Sequence, residues 1–348
     1  MSLKVNIKME NFVGKGNGVY SAFITDIQAL KNYTSLNINT CPDDEADLLH
    51  YHSIGFGYLR AAMLYRQKII VTAHVVPDSF NGSLIFSRYW QNSAKEYLRF
   101  AYQQAKLVIA VSPQVKIDLQ NIGVTRPIEI LPNSVDRGEF SFNPVLRAEF
   151  RRRLGISPQK FVVVGAGQIQ PRKGIIDFVE TARKLPHISF VWAGGRPYGK
   201  LTADFYQMNQ LIETAPKNVN FIGQLDIHEM PGLYSAADVY FLPSYHENFA
   251  FATIEAAAVK LPLVLRDIEA YKSSLFNNYL AGKSVHEYVQ IISRLSKDRN
   301  LYEHYQRLSA DLADRYDIAA RCQKLSELYR EIAASAKVSR KKRRTSVG

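Results

Sequence analysis

With 348 residues, 47% of them hydrophobic and 22% charged, the chain is neither a disordered polymer nor a protein buried throughout in a bilayer. It is too long for one ordinary domain, and a usual size of about 100–200 residues per domain favours two. Lys and Arg outnumber Asp and Glu by 44 to 32, a formal charge of +12 that favours anionic partners: nucleic acid, anionic lipid or phosphorylated substrates.

In chain order, Leu3-Lys4-Val5-Asn6-Ile7 alternates like a strand, and no apolar run is long enough for a signal peptide or a membrane span. Any membrane contact is therefore expected to be peripheral. Cys41 and Cys322 stand far apart without metal-ligand neighbours, which suits a reducing compartment, and the protein is expected to be cytoplasmic. Gly14-Lys15-Gly16-Asn17-Gly18 follows the first strand and precedes a helical pattern from Val19 to Leu30. Its glycines, Gly16 among them, would let a ligand approach the backbone, or simply form a turn. A strand at Lys68-Ile69-Ile70-Val71-Thr72 leads to His74, at a strand end where open α/β sheets bind ligands; a lone histidine there also fits a purely structural role.

From Ser83 to Val111 there is no Gly or Pro, and Phe86 to Lys106 winds as a helix at about 100° per residue. Arg88, Lys95, Arg99 and Lys106 fall on one face, with Phe86, Trp90, Tyr97 and Ala101 opposite. This is either a surface helix with aromatics in the core or a basic face resting on anionic headgroups.

Further nearly continuous apolar runs, Leu107 to Val111, Phe161 to Val164, Ile188 to Trp192, Val239 to Leu242 and Leu261 to Leu265, read as strands covered on both faces. Alternation with helical patterns makes the sheets parallel and the fold class α/β. Between Phe140 and Arg153 lies a polar stretch containing Asn143-Pro144 and Arg147, Arg151, Arg152 and Arg153, read as the connection between domains. The expected division is 1–145, 146–336 and a basic tail, 337–348, with six basic residues between Lys337 and Arg344. No repeat is apparent.

Two segments are candidates for chemistry, against plainer readings as an ordinary strand-to-helix loop for the first and a chance acidic pair in a helix for the second. Gly165-Ala166-Gly167-Gln168-Ile169-Gln170-Pro171-Arg172-Lys173-Gly174 follows a strand. Its glycines permit close backbone approach, and Arg172 and Lys173 place positive charge where a leaving diphosphate needs it without a metal. The glycines do not follow G-x-G-x-x-G, and no acidic residue ends the next strand, so a nicotinamide enzyme is disfavoured. Pro243-Ser244-Tyr245-His246-Glu247-Asn248-Phe249-Ala250 then runs from a strand into a helix spanning Ala250 to Val259, an anion-binding arrangement. It puts Glu247 at the helix mouth and Glu255 about two turns inside.

These segments, with Ile130-Leu131-Pro132-Asn133-Ser134-Val135-Asp136, Leu233-Tyr234-Ser235-Ala236-Ala237-Asp238 and the tyrosine-bearing helix Cys322 to Ile332, resemble the family 4 retaining glycosyltransferases over nearly the whole chain. The resemblance implies a GT-B fold, two Rossmann-like domains with parallel sheets facing across a cleft, and a last helix that crosses back onto the first domain. It implies that Glu247 contacts the donor sugar hydroxyls, Glu255 the ribose hydroxyls, Lys173 with Arg172 the diphosphate, and that His74 lies beside the transferred sugar. Gly16, Gly167, Gln168, Asn248, Phe249 and Ala250 complete the expected donor site. Gln168 stands where many members have Arg, which shifts phosphate neutralisation onto Arg172 and Lys173, and Ser134 replaces the usual Gly of its turn. Within the family, Thr72 to Pro77 and Gly14 to Tyr20 resemble the short glycolipid synthases of Gram-positive bacteria, above all those adding galactose or glucose to glucosyl-diacylglycerol.

The expected activity is retaining, metal-independent hexosyl transfer from a UDP-sugar to diacylglycerol or glucosyl-diacylglycerol, with no cofactor. A polysaccharide or glycoprotein acceptor is the alternative. The expected partners are the donor, the lipid acceptor and an anionic membrane surface on the inner face of the cell membrane, met through Arg88, Lys95, Arg99, Lys106 and the tail. A nucleic-acid-binding protein, suggested by the charge and the tail, is the reading from another class; salt-dependent binding without turnover would mark it. A nucleotide-sugar epimerase would release an altered sugar without any acceptor.

Overall fold

The computed structural model describes residues 2–10, 18–80, 87–196, 204–249 and 251–345, with side chains at 78, 80, 87–91 and 336–345 left out. Its strands are β1 (Lys4–Lys8), β2 (Asn37–Ile38), β3 (Leu48–Tyr51), β4 (Ile69–Ala73), β5 (Leu107–Ala110), β6 (Ile128–Ile130), β7 (Val162–Ala166), β8 (Ser189–Ala193), β9 (Val219–Phe221), β10 (Val239–Leu242), β11 (Leu263–Arg266) and β12 (Leu280–Gly282). Its helices are α1 (Gly18–Tyr33), α2 (Phe56–Tyr65), α3 (Ser87–Tyr102), α4 (Pro113–Asn121), α5 (Pro144–Arg153), α6 (Ile175–Lys184), α7 (Phe205–Glu213), α8 (Met230–Ala236), α9 (Phe251–Ala258), α10 (Glu269–Leu275), α11 (Val285–Leu295), α12 (Arg299–Arg315) and α13 (Ile318–Thr345).

The strands form two parallel six-stranded sheets, ordered β2-β1-β3-β4-β5-β6 and β12-β11-β10-β7-β8-β9. In a parallel sheet with helices on both faces every strand residue is covered, which is why β4, β5, β7, β10 and β11 are buried along their whole length. The order of the second sheet is that of a Rossmann fold, and it reverses between β7 and β10. Loops leaving the C-terminal ends of those two strands flank the crevice where such sheets bind ligands. In the first sheet the reversal lies between β1 and β3, and the segment after β1 at 11–17, which holds Gly14, Lys15, Gly16 and Asn17, lies outside the described residues.

The last helix leaves the second half and packs on the first. Ile318, Cys322, Leu325, Leu328, Tyr329 and Ala333 of α13 share one core with Val5, Ile7, Leu30 and Ile70. Buried His50 of β3 is held between the Tyr329 hydroxyl and Thr72 Oγ1, at 2.7 Å from each. Arg321 grips Asp26 of α1 with two bonds of 2.8 Å. The helix continues through the basic segment as far as Thr345, so up to that residue the expected basic tail is its final turns, with the side chains of Lys337, Arg340, Lys341, Lys342, Arg343 and Arg344 outside the described ones.

Two other expectations are corrected. The supposed connection at 140–153 is helix α5, started by Asn143, whose side chain accepts from Val145 N and Leu146 N ahead of Pro144. It packs on α8. Arg147 Nη2 and Arg151 Nη2 hold Asp238 at 2.7 and 2.9 Å, and Val162 N donates to the same carboxylate at 2.8 Å. Helix α3 ends at Tyr102, so Lys106 is not on it; Lys106 N already donates to Ile69 O at the approach to β5. Its buried stripe is Ala94, Leu98, Ala101 and Tyr102, while Tyr97 is 42% exposed.

Asp238→Ala should lower the unfolding free energy by about 3–5 kcal/mol, since it leaves buried Arg151 without its counter-charge. Urea unfolding of the full chain checks this, and a loss below about 1 kcal/mol would show that the backbone carbonyls around Arg151 suffice.

Candidate functional site

The site begins at the C-terminal end of β7. Gly174 has φ +72°, and a Cβ on it would lie 2.1 Å from Pro243 O. Only glycine lets the chain turn left-handed there and press against the loop after β10. The two loops are then stitched together. Tyr245 N donates to Arg172 O at 2.7 Å, Ser244 Oγ donates to Arg172 O at 3.0 Å, and Arg172 Nη1 donates to His246 O at 3.3 Å.

That stitching sets Lys173 Nζ 2.5 Å from Glu247 Oε1. Burial lowers the Lys173 ammonium pKa more than Glu247 raises it. Burial likewise opposes charge on Glu247, but Lys173 and Arg172 outweigh it and hold that carboxyl below its usual range. The result is a buried cation and anion at the crevice, each dependent on the other. Gly167 N donates to Ala193 O, and Gly167 O accepts from Trp192 Nε1, both at 2.9 Å. Gln168 is half-buried beside it.

Asn248, next in sequence to Glu247, reaches the other half: its Nδ2 donates to His74 O at 2.7 Å and to Ser79 Oγ at 2.8 Å. Phe249 packs edge-on against Tyr316 at 5.2 Å and touches the cores of both halves. Its ring is thereby committed to packing. Ala250 lies outside the described residues, as does Gly16. Glu255 sits deeper in α9, 4% exposed, with Oε2 accepting from the Tyr234 hydroxyl at 2.8 Å. Burial pushes its carboxyl up to about 7 against the pull of that hydroxyl.

Lys173, Arg172, Glu247, Asn248 and His74 are therefore gathered where the C-terminal edges of the two sheets meet. Sequence reading missed what surrounds His74. Its Nε2 lies 3.1 Å from His52 Nδ1, and the two rings stack with centroids 5.2 Å apart. His52 Nε2 lies 3.6 Å from Asp26 Oδ2. Burial is the first cause of a lowered pKa in all three histidines of this cluster: to about 4 for His50, well below the usual value for His52, and to about 3 for His74. They are neutral, and Asp26 spends its charge on Arg321. Among the described residues no group of three or more His, Cys, Asp or Glu side chains has the arrangement to hold a metal ion.

Residues 147–311 match the model of the family Glycosyl transferases group 1, and residues 20–139 that of Glycosyltransferase Family 4. The alpha-galactosylglucosyldiacylglycerol synthase of Streptococcus pneumoniae is 33% identical over 80% of this chain and 76% of that protein. The processive diacylglycerol alpha-glucosyltransferase of Acholeplasma laidlawii is 30% identical over 81% of this chain and 84% of that one. Among solved structures, Anabaena HepE in complex with UDP and glucose superimposes with a TM-score of 0.77 at 17% identity, over 94% of this chain and 99% of that chain, a likeness of fold.

The neutral histidines make stability fall on acidification. Above pH 6.5 they are neutral folded or unfolded; below it the unfolded chain binds protons that the fold refuses until about pH 4 or lower. Three such groups give a slope of up to about 4 kcal/mol per pH unit, against about 1.4 of opposite sign from Glu255, whose raised pKa favours the fold as pH falls. Urea unfolding at pH 7, 6 and 5 should show a net loss, and a flat profile would mean that these rings are charged in the folded state.

Proposed function

The chain belongs to the family 4 glycosyltransferases and has their GT-B fold, and from that premise we propose that it transfers a hexose from a UDP-sugar to a glycosyl-diacylglycerol or diacylglycerol in a membrane. Similarity over 80% of the chain to an alpha-galactosylglucosyldiacylglycerol synthase carries the choice of acceptor. The Lys173–Glu247 pair supports the choice of donor. A diphosphate entering the crevice meets Lys173 and Arg172, shares the Lys173 ammonium with Glu247, and frees that carboxylate to take hexose hydroxyls. Glu255, beside Tyr234, is placed for the two ribose hydroxyls.

The acceptor oxygen attacks the anomeric carbon on the face from which the diphosphate departs, and its proton passes to the departing phosphate oxygen, so configuration is retained. Leaving-group charge is balanced by Lys173 and Arg172, and no metal ion is needed. We assign the acceptor-binding part to 1–145 and the donor-binding part to 146–336, with α13 returning to the first.

The membrane side is supported by α2 and α3. Phe56, Met63 and Leu64 are 83%, 78% and 63% exposed, and Phe100 is 52% exposed, among exposed Arg60, Lys95 and Arg99. Tyr58 joins the two helices by donating to Ala101 O at 2.8 Å. Exposed apolar side chains interspersed with cations are what a surface resting on anionic headgroups requires. No helix among the described residues is long and apolar enough to cross a membrane. The protein is then peripheral on the inner face of the cell membrane, with Arg88 and the cations after Ala336 adding charge.

Supplied with UDP-glucose or UDP-galactose and glucosyl-diacylglycerol in anionic vesicles, the protein should form a diglycosyl lipid of retained configuration, in excess chelator as well. Lys173→Ala and Glu247→Ala should each lower turnover by about 10²-fold or more at saturating donor; near-normal turnover would remove that residue from the site. Reversing Lys95 and Arg99 to Glu should weaken co-sedimentation with anionic vesicles by about tenfold or more, at about 1 kcal/mol per charge before screening, while UDP affinity is kept. Undiminished sedimentation would sink the membrane reading of α3.

A further inference from the structure

We propose that Asp26 and His52 are positioning residues that fix the tautomer of His74, so that its ring meets the transferred sugar through Nδ1, as a hydrogen-bond acceptor. The inference rests on the reading of His74 as the residue beside that sugar.

A chain of contacts runs inward from Arg321. Its Nε and Nη2 donate to the two oxygens of Asp26 at 2.8 Å each, with both residues buried. Asp26 is therefore an ionised acceptor. Its Oδ2 lies 3.6 Å from His52 Nε2, an atom sealed from solvent with no hydrogen-bond partner of its own. A lone pair on that nitrogen would face a carboxylate oxygen in a buried setting, whereas an N–H there is attracted to it. The His52 proton therefore sits on Nε2, and the lone pair on Nδ1.

His52 Nδ1 lies 3.1 Å from His74 Nε2. Since His52 accepts, His74 donates, and its proton too is held on Nε2. His50 does not compete, because both its ring nitrogens are taken by Tyr329 and Thr72. The Phe23 ring closes another side of His52, edge-on at 5.8 Å. The remaining His74 nitrogen, Nδ1, has no partner among the described residues, and its lone pair is left for a hydroxyl. Asn248 anchors the His74 carbonyl separately at 2.7 Å, so the ring is oriented by the first half and the backbone by the donor loop. The order of parts is that of a carboxylate and an imidazole setting the tautomer of a reacting group, with a second imidazole as the group presented.

Long-range ¹H–¹⁵N correlation spectra of uniformly ¹⁵N-labelled protein at pH 7.5, assigned through His52→Asn and His74→Gln, read the tautomers directly. Both rings should carry the proton on Nε2, and a proton on Nδ1 of His74 would overturn the proposal whether or not any sugar is transferred. In turnover, His52→Phe keeps an aromatic ring but removes the acceptor, and should lower kcat about tenfold or more with UDP affinity unchanged. His52→Asn places an amide oxygen where Nδ1 was and should recover part of that loss. Equal kcat in the two variants, or wild-type kcat in His52→Phe, would make His52 a packing residue only. If the wild-type protein transfers no hexose, the functional reading fails, and the spectra still decide the tautomer.

Discussion

The arrangement turns on one buried ion pair, Arg321 with Asp26. Removed from water, each charge carries a desolvation cost that only its partner and further hydrogen bonds offset. Arg321 Nη1 donates to Leu131 O at 2.8 Å and to Pro132 O, so the guanidinium is tied at once to α1 and to the segment after β6. The pair would lose these partners in any seating of α13 that moved Arg321 away from Asp26, Leu131 and Pro132. It brings a helix from the far end of the chain onto the first sheet, and it presents an ionised carboxylate to His52.

The second half repeats the device at its own crevice. Lys173 and Glu247 come from two loops that meet only because Gly174 lets the backbone turn against Pro243 O. In both halves a buried charge pair stands at or beside the point where strand order reverses. The contrast lies in what each pair spares. Asp26 is fully engaged by Arg321, whereas under the function we propose the Lys173–Glu247 pair opens to a ligand that brings its own anion.

How much of this was legible in the sequence follows from burial. β4, β7, β10 and β11 were readable because both faces are covered and the residues are mostly branched or aromatic. β3 was not, because Leu48-Leu49-His50-Tyr51 places a histidine and a tyrosine in a fully buried strand, and polar partners rather than apolar neighbours make that burial possible. β2, β6, β9 and β12 are two or three residues long and lie toward the sheet edges, too short for any period to show. The basic run in α5 looked solvated, yet Arg151 is 3% exposed, because Asp238 and four backbone carbonyls receive its protons. Glu247, Glu255, Arg172 and Lys173 could be picked out since each lies in a local segment with its own spacing. Asp26 and Arg321 could not: they are separated by 295 positions, and neither stands in a motif.

The two halves are also coupled where they meet. Asn248 follows Glu247 directly and holds the His74 carbonyl, while Phe249 packs into both cores. Under the function we propose, a shift of Glu247 toward a bound hexose passes through one peptide bond to the residue that anchors His74. Conversely, His74 keeps its ring orientation through His52, which does not belong to that loop. The histidine is thus held in rotation by one half and along the crevice by the other, and under the function we propose this is what brings sugar and imidazole into register.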